Sequence, residues 1–177
     1  VAYFLPADKT FPIQLCEVYA NNREDYDAGD WIEFYYYGSD PLQMDDWYLT
    51  GDNEQLLFTF QEDIVLYPGQ RFIFCEDSDR FKEIFPKAMH CFGNLSQGFS
   101  STSTLSLRSA DGDIKKSVSL MNSQEWPALP GEGFSMELKH LVDDTDNGNN
   151  WELSQDIYGS PGLPNNSSHM FQAPEGR

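Results

Sequence analysis

Basic residues are scarce in this chain. Its 177 residues carry 11 Lys and Arg against 29 Asp and Glu, a formal charge of −18. Affinity for nucleic acid comes largely from basic groups that displace counterions from phosphate, so a surface this negative excludes DNA and RNA as ordinary partners. Anionic lipid headgroups are disfavoured for the same reason. Long apolar runs are missing too. No stretch approaches the ~18 residues of a spanning helix, so membrane insertion is not expected. Cysteines number only three, Cys16, Cys75 and Cys91, without a CxxC pair. They are too few for a disulfide scaffold and read as reduced, buried fillers, with a Cys75–Cys91 bridge left open as the alternative.

Catalytic signatures are absent as well. The sequence has no HExxH, GxSxG, P-loop or GxGxxG pattern, and its three histidines, His90, His140 and His169, lie on separate segments. The chain therefore reads as a non-enzyme. No signal peptide is visible, and a start at Val1 in place of Met leads us to expect a mature form or a piece of a longer protein.

What the chain does have is apolar and aromatic matter, 40% and 15% of its residues, ample for one packed domain. After a lead-in over 1–11, the pattern is one of short strands separated by turns. Strands are expected over 13–20, 31–37, 47–50, 56–60, 71–75, 105–108, 114–120, 134–138 and 151–153, with Leu56, Phe58 and Phe60 sharing one face. Pro68-Gly69 reads as a turn, and Asp111-Gly112 is the strongest hairpin signal. One short helix is expected near 78–85, with Ser78 as its cap and Phe81, Ile84 and Phe85 at helical spacing. Trp31, Trp47 and Trp151 sit at strand landmarks and are assigned to the core. Many short strands with almost no helix predict an all-β domain over 12–165, followed by a flexible tail over 166–177.

Several of these stretches resemble, in order, the landmarks of the lamin-tail domain family. IQLCEVYANN (13–22) is similar to its opening strand, an apolar stretch around a Glu. DWIEFYYYG (30–38) matches its Asp-Trp-Ile-Glu-aromatic strand, and PLQMDDWYLTG (41–51) its Leu and Trp-Tyr-Leu strand. LYPGQRFIFCED (66–77) and LSLRSADGDIKKSVSL (105–120) resemble its Pro-Gly turn and Asp-Gly hairpin. NNWELS (149–154) and SPGLPN (160–165) resemble its closing signatures. The resemblance covers roughly 12–165 and implies an immunoglobulin-like β-sandwich. In bacteria such domains accompany larger partners, including CotH-kinase-like proteins, nucleases and phosphatases. What is implied here is a secreted or cell-surface location and an accessory, non-catalytic role in protein or surface contacts. The Asp before Trp31 recurs in the family pattern, which suggests a structural hydrogen bond at Asp30.

Three constellations remain as candidate sites. In Tyr35-Tyr36-Tyr37, alternation puts Tyr35 and Tyr37 on one strand face, where aromatics can stack on sugar rings; the duller account is a half-buried face at a sheet edge. Trp126, beside Pro127 in irregular chain, is the other aromatic expected to be exposed. Two acidic clusters, Asp25, Asp27 and Asp30, then Asp144 and Asp146, are dense enough in oxygens to hold Ca²⁺. The second lacks the Glu of an EF-hand and reads more simply as a polar turn. The leading expectation is a binding module with no cofactor. A glycan-binding module on the aromatics, and a metal-dependent hydrolase on the acidic loops, are its competitors.

Overall fold

Runs such as IQLCEVY, WIEFYY and RFIFC favour extended backbone, because aromatic and β-branched side chains pack well on a pleated surface. A computed structural model describes residues 11–20, 25, 28–121, 123–127 and 133–165 of the chain. Its strands, in chain order, are β1 (Ile13–Tyr19), β2 (Trp31–Tyr36), β3 (Leu42–Gln43), β4 (Tyr48–Thr50), β5 (Leu56–Thr59), β6 (Val65–Leu66), β7 (Arg71–Cys75), β8 (Cys91–Phe92), β9 (Thr104–Arg108), β10 (Ile114–Ser119), β11 (Met136–Leu138) and β12 (Trp151–Leu153). A helix, α1 (Ser78–Ile84), lies between β7 and β8. The chain is β-rich, as the strand pattern implies.

The strands form a six-stranded sheet in the order β12-β11-β1-β2-β7-β8 and a four-stranded sheet in the order β10-β9-β4-β5, with β3 and β6 paired separately. All pairings are antiparallel except β7 with β8. One apolar cluster draws Leu15, Ile32, Phe34 and Phe74 from the larger sheet and Leu49, Leu57, Leu107 and Val118 from the smaller. Burying each such side chain stabilises by about 1.5–3 kcal/mol. Side chains alternate across a strand, so the opposite face of the larger sheet needs its own cover. There a second cluster joins Tyr19, Trp31, Ile73 and Cys75 to Phe81 of α1. Every residue of β1 is consequently buried.

A bulge in β1 makes this two-sided burial fit. The register steps from Leu15 opposite Phe34 to Glu17 opposite Glu33, leaving Cys16 as the extra residue. Leu15 and Val18 can then both reach the shared core while Glu17 and Tyr19 face the other way. A similar shift between Leu49 and Thr50 on β4, against β5, corrects one expectation. Leu56 does not share a buried face with Phe60: it is exposed, and Leu57 enters the core in its place.

Other local readings meet the structure more closely. Gly69 takes a left-handed φ of 85°, and the Gln70 N–H donates to the Tyr67 carbonyl at 3.1 Å, closing the Pro68-Gly69 turn. Asp111-Gly112 lies in the loop joining β9 to β10. The helix starts one residue earlier than expected, because Asp77, not Ser78, accepts from the Asp79 and Arg80 amides. Phe81 is fully buried and meets Trp31 edge-on at 5.9 Å. Cys75 and Cys91 are disulfide-bonded across β7 and β8, which corrects the reading of three reduced thiols. Cys16 alone is free, and buried.

Candidate functional site

Four strands of the larger sheet carry a glutamate among apolar neighbours, in IQLCEVY, WIEFYY, MEL and WEL, and in the first three it is buried. Antiparallel register aligns them, with Glu17 directly opposite Glu33 on one side and Glu137 on the other. Three fully buried carboxyls therefore stand in a row across the sheet. Adjacent like charges out of water are too costly to persist unless they are neutralised or bonded. Donors meet that need. Arg71 Nη1 lies 2.6 Å from Glu33 Oε1, and the Gly162 N–H donates to Glu33 Oε2 at 2.5 Å.

Glu17 is held differently. Among the described residues it pairs with no cation, and its Oε1 accepts from Ser135 Oγ at 2.6 Å and from the Ser160 N–H at 2.8 Å. Ser160 Oγ lies 3.2 Å from Glu17 Oε2 and 2.9 Å from Glu137 Oε1. One hydroxyl hydrogen cannot serve two carboxylates, and a proton on Glu17 resolves the conflict by donating to the hydroxyl. Burial, reinforced by the charges of Glu33 and Glu137, pushes the Glu17 carboxyl well above the usual carboxylate range. Burial also pushes Glu33 up to about 7, against the pull of Arg71 and the Gly162 amide. The Cys16 thiol, fully buried nearby, is raised as well.

The donors on the C-terminal side belong to one segment. Ser160, Gly162 and Asn165 cross this face as a strap, and Asn165 Nδ2 donates to the carbonyls of Cys16 and Leu138 at 3.0 and 3.1 Å. Gly159 must be glycine here: its φ is 87°, and a Cβ would lie 2.3 Å from Glu17 Oε1. Fully buried, the carboxylate row fastens the strap through Ser160 and Gly162. Sequence reasoning missed it. The available signal was the recurrence of a Glu inside apolar strands.

At the edge of this arrangement is a pocket of about 340 Å³, lined by Tyr35, Arg71, Met89, His90, Gly162 and Pro164 among others. The Arg71 guanidinium lies over the Tyr35 ring, 5.3 Å from its centroid. Tyr35 is half-buried, and its strand β2 is interior, between β1 and β7, so the sheet-edge account of this tyrosine is corrected. Tyr37 is 38% exposed, with its hydroxyl 3.4 Å from the Phe11 carbonyl. Trp126 overturns its expectation. It is buried and stacks on Trp151 at 5.3 Å, because irregular backbone beside a proline does not prevent an indole from burying its large apolar area.

The acidic candidates are dispersed into structural bonds. Asp30 Oδ2 accepts from the Phe99 N–H at 2.8 Å, the structural hydrogen bond expected before Trp31. Asp25 is exposed in a turn, and Asp27 lies outside the described residues. Asp144 accepts from the Asp146 amide at 3.1 Å, and Asp146 from the Ser119 amide at 3.0 Å. Among the described residues no group of three His, Cys, Asp or Glu side chains is arranged to hold a metal ion. No helix among them is long and apolar enough to cross a membrane. A scan against protein-family models and a search of curated proteins each returned no match to the chain.

Proposed function

We propose that this chain is a lamin-tail-like, immunoglobulin-like β-sandwich. In this reading it acts as a non-catalytic accessory domain, making protein or cell-surface contacts for a larger secreted bacterial protein. The observation that carries the reading is the meeting of its landmarks. The Glu of the opening strand, the Glu of Asp-Trp-Ile-Glu and the closing Ser-Pro-Gly-Leu-Pro-Asn are bonded to one another, across separations of 143 and 129 residues. Resemblances noted one by one along the sequence thus belong to one physical unit, which chance matches give no reason to expect. Two sheets sharing an apolar cluster suit a sandwich. A Cys75–Cys91 bond suits an oxidising compartment.

Crosslinking on the intact cell envelope tests the contact role: a recovered protein or surface partner supports it, and an empty screen argues against it. A panel of phosphoesters and esters tests the hydrolase alternative, which needs chelator-sensitive turnover. Since Asp30, Asp144 and Asp146 accept from backbone amides, thermal melts with Ca²⁺ and with chelator are expected to coincide. A calcium-dependent rise in the midpoint would restore the metal reading.

A further inference from the structure

We infer that the pocket between Tyr35, Arg71, His90 and the C-terminal strap is a binding site for a single uncharged sugar residue. This deepens the accessory-domain reading, on which it rests, by naming the chemistry of the surface it recognises. Size is the first argument. About 340 Å³ is at the small end of ligand sites and suits one pyranose ring, not a folded partner. One lining residue, Gly69, has left-handed backbone and no side chain, and a Cβ there would stand 3.9 Å from the Tyr35 hydroxyl. Peptide capture by strand addition to β2 or β7 is closed off, since each is paired on both sides.

The wall chemistry is the second argument. Arg71 has a guanidinium with five N–H donors, and Glu33 is the one carboxylate ion-paired with it among the described residues. His90 is exposed, with Nε2 3.2 Å from Gln70 Nε2. Met89, two-thirds exposed, and Pro164 supply apolar surface of the kind that packs on the C–H face of a sugar ring. Hydrogen-bonding groups beside a small apolar wall are what a ring of hydroxyls on a C–H framework requires.

Charge decides between sugar classes. Arg71 is ion-paired with Glu33, and the whole chain carries −18. An acidic sugar would approach against that overall charge, whereas an uncharged one has no charge to lose from water. Of the three aromatics singled out in the sequence, Tyr35 lines this pocket, with one face of its ring under Arg71.

The test is amide-resolved NMR titration of the whole chain with methyl glycosides of glucose, galactose, mannose and N-acetylglucosamine, and with glucuronate and galacturonate. At least one neutral glycoside is expected to shift the Gly69, His90 and Gly162 amides, with Kd on the order of a millimolar for a ligand this small. His90→Gly removes the imidazole where the backbone already has a φ of 56°, so the fold should persist. It and Tyr35→Leu should each weaken binding by roughly fivefold or more, with thermal melts confirming folded protein. Silence from every neutral glycoside, binding of uronates alone, or unchanged affinity in both folded variants would overturn the proposal. A silent titration beside a crosslinked envelope protein would discard the sugar site and leave the accessory-domain reading standing.

Discussion

At Glu33 a guanidinium stands 2.6 Å away, while at Glu17, directly opposite, only hydroxyl and amide donors are within reach. The two carboxyls therefore couple to pH with the same sign and from the same leading cause, burial, opposed at Glu33 chiefly by Arg71 and at Glu17 by hydroxyl and amide donors. In the unfolded chain both titrate near 4.5, and in the folded chain both are raised, Glu33 to about 7. The folded state then keeps protons that the unfolded state has released. Their contribution to stability is full below about pH 4.5 and is lost as pH rises, through about 7 for Glu33. The thermal midpoint is expected to fall from pH 5 to 7.5, and Glu17→Gln should flatten that slope. Self-repulsion of a chain at −18 acts in the same direction, but salt screens it and leaves the buried row unscreened. A wild-type midpoint that rises over this range would remove the carboxylate row as the cause. Arg71→Met should cost roughly 3–5 kcal/mol, read by denaturant unfolding, because it strands Glu33 without its cation.

Among the elements, the Cys75–Cys91 bond closes a loop with a sequence separation of 16. Chain-entropy arguments put its contribution at about 3 kcal/mol. The Cys75→Ser, Cys91→Ser double variant should accordingly melt several degrees lower, and an unchanged midpoint would show that the bond constrains nothing. The sequence did not decide this pairing, since three cysteines permit several and only the parallel placement of β7 beside β8 brings these two together. β1, β2, β7 and β9 were legible because each is a run of five to seven residues, mostly buried, bounded by turn residues. β3, β6 and β8 were not, being two residues each. Leu56 was misassigned because a bulge resets the period without any local signature. The candidate site divides the same way. Tyr35 was legible as an aromatic on an outer face, whereas Arg71, His90 and the strap converge on it only through tertiary structure.

For the molecule as a whole, the strap is as much a part of the central sheet as any strand. A chain stopped after Ile157 would lose the donors of Ser160 and Gly162 and leave Glu17 and Glu33 facing water-accessible space. It is expected to lose cooperative unfolding, measured by circular dichroism melts, and a sharp transition at the wild-type midpoint would refute that role. This arrangement also bears on the order of events during synthesis. Glu17 leaves the ribosome among the first residues of the domain, yet the amide that holds it comes 143 residues later. The central sheet has no way to complete its bonding on a growing chain, and it closes only once the final turn has been made.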